Sequence, residues 1–183
     1  MVPRSRVHDS VILDALEAIA PTPFNDDVWR VTRKEREALR GASANGRWSP
    51  PGEFEVLYTS ESEEGALAEI GYRLSLEPVW PSRIEHEIHC IDLHLTRTLR
   101  LVDISQLSPL GVDIARYENF DYSATQAIAS AAHFLEFDGL VIPSARFECS
   151  NIVVFLEQAA EKGRMEVRSS AAVDWSSWQR KRR

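Results

Sequence analysis

Cysteine is nearly absent from this chain. Cys90 and Cys149 are the only two in 183 residues, too few for a disulfide framework and too far apart for a CxxC pair, which fits a reducing cytoplasm. No apolar run approaches the roughly 18 residues that a membrane span needs. Met1 to Ser10 lacks the apolar segment of a secretory signal. Positive charge is also in short supply: 21 Lys and Arg against 28 Asp and Glu leave −7, a poor balance for a protein that grips a phosphate backbone. The one basic run, Arg180-Lys181-Arg182-Arg183, reads as a solvated terminus. Internal repeats, low-complexity linkers, a Walker A loop, a GxGxxG turn and a G-x-S-x-G elbow are all missing. What is present is ordinary globular composition, 44% hydrophobic and 27% charged, at a length suited to one domain, residues 1–183.

Apolar periodicity predicts a helix over Ser10 to Ala20, with Val11, Ile12, Leu16 and Ile19 on one stripe and Pro21 and Pro23 ending it. Val28 to Val31 is a short strand. Thr32 and Glu35 have capping-box spacing for a brief helix ending at Gly41. Gly41 to Gly52, rich in Gly, Pro and small polar residues, is a loop. Glu53 to Tyr58 alternates as a strand, and a second box, Ser60 and Glu63, opens a helix to about Ser75. Ile88 to Leu95 and Leu99 to Ile104 read as two strands, while Asp113 to Tyr122 fits no single period. Ser123 and Gln126 form a third box ahead of a helix over Ala124 to Glu136. Leu140 to Ile142 and Ile152 to Leu156 are buried strands flanking a turn, and Met165 to Arg168 is an edge strand. Helices and strands interleave without a βαβ rhythm, which favours an α+β fold with a mixed or antiparallel sheet.

His86, His89, Cys90, Asp92 and His94 crowd one segment, but a strand turns His89 to one face and Cys90, Asp92 and His94 to the other. His86 and Cys90 then lie roughly 13 Å apart at about 3.3 Å per residue, against metal–ligand distances of about 2 Å. Polar residues on a half-exposed strand account for the cluster, and no metal is expected.

The richest constellation spans residues 46–69. Gly46-Arg47-Trp48-Ser49-Pro50-Pro51-Gly52 precedes Val56-Leu57-Tyr58-Thr59-Ser60, and Ala66-Leu67-Ala68-Glu69 follows on a helix. Upstream stands Val28-Trp29-Arg30-Val31. Downstream stand Tyr122-Ser123-Ala124-Thr125-Gln126, Phe137 to Arg146, and Asn151-Ile152-Val153-Val154-Phe155. In this order the motifs resemble the RES-domain family, the toxin half of RES–Xre toxin–antitoxin pairs, over residues 28–156. The N-terminal helix and the basic C-terminal tail lie outside that span. Asn45 and Ser49 depart from the family pattern around Arg47, and Glu148-Cys149-Ser150 lacks its glycine before Asn151.

The resemblance implies an ADP-ribosyltransferase-like fold and an activity on NAD+ as substrate, by hydrolysis, phosphorolysis or transfer of ADP-ribose to a protein. It also implies an Xre-type antitoxin that covers the active-site cleft in a hetero-oligomer, with no direct nucleic-acid or membrane partner. Cleaving the nicotinamide–ribose bond builds an oxocarbenium-like cation, which a carboxylate stabilises. Glu69 takes that role. Arg47 and Arg30 supply planar forks of donors for the pyrophosphate or ribose. Tyr58 presents an aromatic face to the cationic nicotinamide, and Ser123 hydrogen-bonds the ribose or amide.

Each of these residues also has a purely structural reading. Glu69 lies about 160° around its helix from Leu67 at about 100° per residue, which makes it a solvated partner for Arg73 at i+4. Arg47 is an exposed loop residue, Arg30 a strand-edge charge, Tyr58 a core residue and Ser123 a helix cap. Ser144 belongs to a turn and Asn151 to a strand entry. Two other functions compete with the NAD+-consuming enzyme. One is a non-catalytic interaction module, since the five tryptophans suit an interface. The other is a nucleic-acid-acting toxin using the basic tail, which the acidic balance disfavours.

Overall fold

The fold of residues 7–182, described by a computed structural model, is built on a ring of strands. In chain order the elements are α1 (Ser10–Glu17), β1 (Thr22–Arg33), β2 (Val56–Ser60), α2 (Glu63–Ser75), β3 (His86–Arg100), α3 (Ser123–Phe134), β4 (Gly139–Pro143), β5 (Ser150–Phe155), α4 (Leu156–Lys162), β6 (Arg164–Ala172) and α5 (Trp175–Arg180). Two 3-10 turns, Ile104–Leu110 and Ile114–Arg116, bridge β3 and α3.

The strands run β1-β2-β5-β4-β3-β6, and β1 also pairs with β3, so five of them close on one another while β6 flanks β3. Among the described residues β3 and β4 pair in parallel and the other pairs are antiparallel. This is the mixed α+β sheet expected from the sequence. The strand at 28–31 is longer than its apolar run, because β1 pairs with β3 from Thr22 to Arg33. Pro23 is tolerated there because it falls at the register shift between Thr22 and Phe24, where the ladder needs no donor from it. The two strands expected around residues 88–104 are one continuous β3 as far as Arg100.

Alternation along the strands sorts three cores. Val28, Leu57, Ile91, Leu93, Leu95, Val141, Ile152 and Val154 come from all five closing strands and fill the inside of the ring. On one outer side, Val56, Leu140, Ile142, Val153 and Phe155 meet Leu16 of α1, Trp48, and Ile128 and Ala132 of α3. On another, Val31 and Ile88 meet Ala66 and Leu67 of α2 and Trp175 of α5. The C-terminal segment is thus packed: Trp178 covers α2 at Gly71, where an added Cβ would stand 2.3 Å from the indole.

Three capping expectations change. α2 is capped by Ser62, whose hydroxyl accepts the Gly65 N–H at 3.0 Å, and not by Ser60. Ser62 wins because Ser60 still pairs with Asn151 in the β2–β5 ladder. No helix forms after Thr32, because Thr32 remains in β1 and its hydroxyl bonds His89 Nε2 at 2.9 Å. At α3 the Ser123–Gln126 box is not made. Ser123 is the first helical residue, and both of its groups bond Asp121. Among the described residues no helix is long and apolar enough to cross a membrane.

Candidate active site

The loop before β2 carries Arg47, and β2 and α3 hold it from two sides. Tyr58 points outward from β2 and its hydroxyl accepts the Trp48 N–H at 2.9 Å and pairs with Ser49 Oγ at 3.1 Å. A Cβ at Gly46 would stand 2.6 Å from Ser49 Oγ and 2.7 Å from that same phenol oxygen, so a side chain there would displace the pair. From α3, Thr125 donates to the Arg47 carbonyl at 2.5 Å. Gln126 Nε2 reaches Asn45 Oδ1 at 2.6 Å and the Gly46 carbonyl at 2.8 Å. The glutamine that sequence spacing assigned to a helix cap instead closes the arginine loop.

The Arg47 guanidinium donates to the carbonyls of Tyr117 and Asn119 and lies 4.7 Å from the Tyr117 ring centroid and 5.1 Å from that of Tyr122. Carbonyl bonds orient the fork without neutralising its charge. Tyr117 is the hub here: its hydroxyl donates to the Pro143 carbonyl at 2.7 Å, and Arg47, Glu69 and Tyr58 all lie within electrostatic reach. Burial pushes the Tyr117 phenol up to about 12 and that of Tyr58 in the same direction, so both remain neutral donors.

Glu69 is half-buried and is held from outside its helix. Ser144 Oγ donates to Glu69 Oε1 at 2.7 Å and Asn151 Nδ2 donates to the same oxygen at 2.8 Å. Among the described residues no hydrogen bond reaches the other oxygen, Oε2. The opposite end of the Asn151 amide, Oδ1, is buried without a partner among the described residues. A carboxylate fixed through one oxygen keeps its second oxygen and its charge for a bound group.

The candidates therefore separate. Arg47, Tyr58 and Glu69 gather round Tyr117. Arg30 does not join them: it shares the inner face of β1 with Val28, and its side chain donates to the carbonyls of Tyr58 at 3.0 Å and Arg40 at 3.1 Å. Burial and the nearby Arg36 lower its pKa to about 10. Ser123 is exposed and its hydroxyl donates to Asp121 at 2.8 Å. Ser144 and Asn151, read from the sequence as turn and strand-entry residues, are the ones that touch Glu69. Tyr117 lay in the segment without a period, and nothing local marked it. The histidine-rich strand is internally occupied: His86 accepts from Trp175, His89 bonds Thr32 and Ser170, and His94 bonds Asn25 and Asp92.

Comparison with known proteins adds four findings. A family model described as the RES domain matches residues 27–176. NAD(+) phosphorylase MbcT of Mycobacterium tuberculosis (strain ATCC 25618 / H37Rv) is 24% identical over 168 residues, 88% of this chain and 90% of that protein. Probable NAD(+) phosphorylase Rv3189 of the same strain is 35% identical over 130 residues, 69% of this chain and 62% of that one. In the crystal structure of the M. tuberculosis MbcT–MbcA toxin–antitoxin complex, a chain with 22% identity superposes with a TM-score of 0.80, covering 94% of this chain and 97% of its own length.

Proposed function

This chain belongs to the RES domain family, and from that premise we propose that it is an NAD+-degrading toxin of a toxin–antitoxin pair, cleaving the nicotinamide–ribose bond. The observation that carries the reading is the Glu69 carboxylate, bonded by Ser144 and Asn151 through one oxygen and open at the other. When that bond breaks, its electron pair leaves with nicotinamide and positive charge builds on the anomeric carbon. Glu69 stabilises this charge, and its fixed orientation avoids reorganisation during the reaction. Arg47, oriented by two carbonyls, keeps its charge for the pyrophosphate. Tyr58 acts chiefly by pinning the Arg47 loop. Arg30 supports Tyr58 from the inside of the ring.

The relatives' name, NAD(+) phosphorylase, supports inorganic phosphate over water as the acceptor. The likeness to a toxin–antitoxin complex supports a cognate antitoxin as partner. We assign that partner to the Xre type, covering the cleft around Glu69 and Arg47, with the pair residing in the cytoplasm.

Antitoxin-free protein incubated with NAD+ and followed by proton NMR, with and without phosphate, tests the proposal. Free nicotinamide from the wild type and none from Glu69→Ala is the expected result, with ribose signals that depend on phosphate. Intact NAD+ beside folded protein overturns it.

A further inference from the structure

Arg146 is a nearly buried cation without a close anionic partner among the described residues. Its side chain is 9% exposed, and its guanidinium lies 3.6 Å from the Tyr72 ring centroid and donates to the Glu118 carbonyl at 2.7 Å. The Glu118 carboxylate itself stands 4.0 Å off and is largely solvated. Burying an arginine in this way is costly unless an anion joins it. Arg146 lines a cavity of about 490 Å³ between α2 and α5, together with Tyr72, Trp80, Trp178, Glu77 and Arg182. Arg182 stacks over Trp178 at 4.5 Å. The lining thus holds three large aromatic rings, two guanidiniums and one carboxylate.

We propose that this cavity binds a phosphorylated nucleoside, the flat base against the aromatic walls and the phosphate on Arg146 and Arg182. The volume falls within the roughly 300–1,000 Å³ of small-molecule sites. Aromatic side chains hold any base face, at about 1–3 kcal/mol per stacked base. Guanidinium forks match phosphate oxygens, and Glu77 supplies an acceptor for an amino group on the base. The cavity adjoins the carboxylate described above: Tyr72 follows Glu69 by three residues, about 4.5 Å along the helix. Arg146 follows Ser144 by two, and its N–H donates to Ser144 Oγ at 3.1 Å. One chemistry then has two sources, the adenylate half of NAD+ itself or a free nucleotide beside it. The first source rests on the NAD+ reading; the binding site does not.

Adenosine monophosphate is the probe. It is titrated by calorimetry into the full chain carrying Glu69→Gln, which removes turnover without altering the cavity lining. The titration is repeated after adding Arg146→Lys, which keeps the charge but loses the fork, or Arg182→Ala, which changes an exposed side chain. Saturable binding is expected, weakened about tenfold by each change, as for a lost charge-assisted bond. Absence of binding to folded protein, or binding indifferent to both substitutions, overturns the proposal. In the wild type, inhibition by the probe that raises only KM for NAD+ identifies the adenylate source. Binding of the probe alongside NAD+ identifies a free nucleotide. Nucleotide binding without any NAD+ cleavage sinks the enzymatic reading alone, and cleavage without nucleotide binding sinks this one alone.

Discussion

Ser144 donates its hydroxyl to Glu69 across 2.7 Å while its own oxygen accepts the N–H groups of Arg146 and Phe147 at 3.1 and 3.3 Å. The turn between β4 and β5 is therefore a bracket for a carboxylate on α2. Ser144→Ala should reduce nicotinamide release from NAD+ by about tenfold to a hundredfold, the range for losing a hydrogen bond to a charged group. Ser123→Ala, which removes only the exposed bond to Asp121, should remain within about twofold of wild type. Initial rates by proton NMR on the two variants decide between the serines, and the reverse ranking would dislodge Ser144.

Tyr58→Phe should destabilise the fold by about 1–3 kcal/mol, because the buried Trp48 N–H loses its acceptor. Ser49→Ala should cost less, since the phenol oxygen still receives that N–H. Urea midpoints for the two variants test the order. Equal midpoints would mean that the phenol is not what holds the arginine loop.

Burial depresses the imidazoles of His86, His89 and His133 below their ordinary value of 6.5. A depressed folded-state value means that the unfolded chain binds more protons, so this stability is complete above 6.5 and is lost as pH falls. Unfolding free energy should be flat from about pH 7 to 8 and should decline below about 6.5. The carboxyls of Asp92, Asp103 and Asp121, also depressed, contribute their loss only at lower pH. His133 stacks on Phe54 with centroids 4.2 Å apart, so His133→Phe should keep the packing and make the decline shallower. An unchanged slope would remove His133 from the account.

Gly71→Ala forces a methyl to within 2.3 Å of the Trp178 ring. Overpacking of this kind typically costs about 1–3 kcal/mol. α5 should lift from α2 with a red shift in tryptophan emission, and Gly71→Ala combined with Trp178→Ala should recover part of the loss. Additive effects in that double variant would contradict the contact.

Much of the fold was legible because local chemistry and tertiary context agree there. The β-branched runs at 140–142 and 152–156 are adjacent strands, and α2 and α3 lie within a few residues of their expected positions. Where one residue serves two partners, local rules mislead. Thr32 is drawn into β1 by His89, and Gln126 leaves its cap for the Asn45–Ser49 loop. Arg30 reads as a strand-edge charge from its neighbours alone; closure of the ring turns its face of β1 into a buried interior. Glu69 and Arg47 came from a motif, but Ser144 and Asn151 approach Glu69 across 75 and 82 positions, a proximity that no window of sequence displays.

Strand β5 lies in the middle of the sheet, between β2 and β4, yet begins only at Ser150. Contacts of such sequence separation form late, after the cost of closing long loops has been met. A nascent chain can extrude Arg47, Tyr58 and Glu69 well before it owns Ser144 or Asn151. The Glu69 bracket therefore closes only after the chain has been extended through Asn151, which leaves about eighty residues of synthesis during which the carboxylate stands without its two donors.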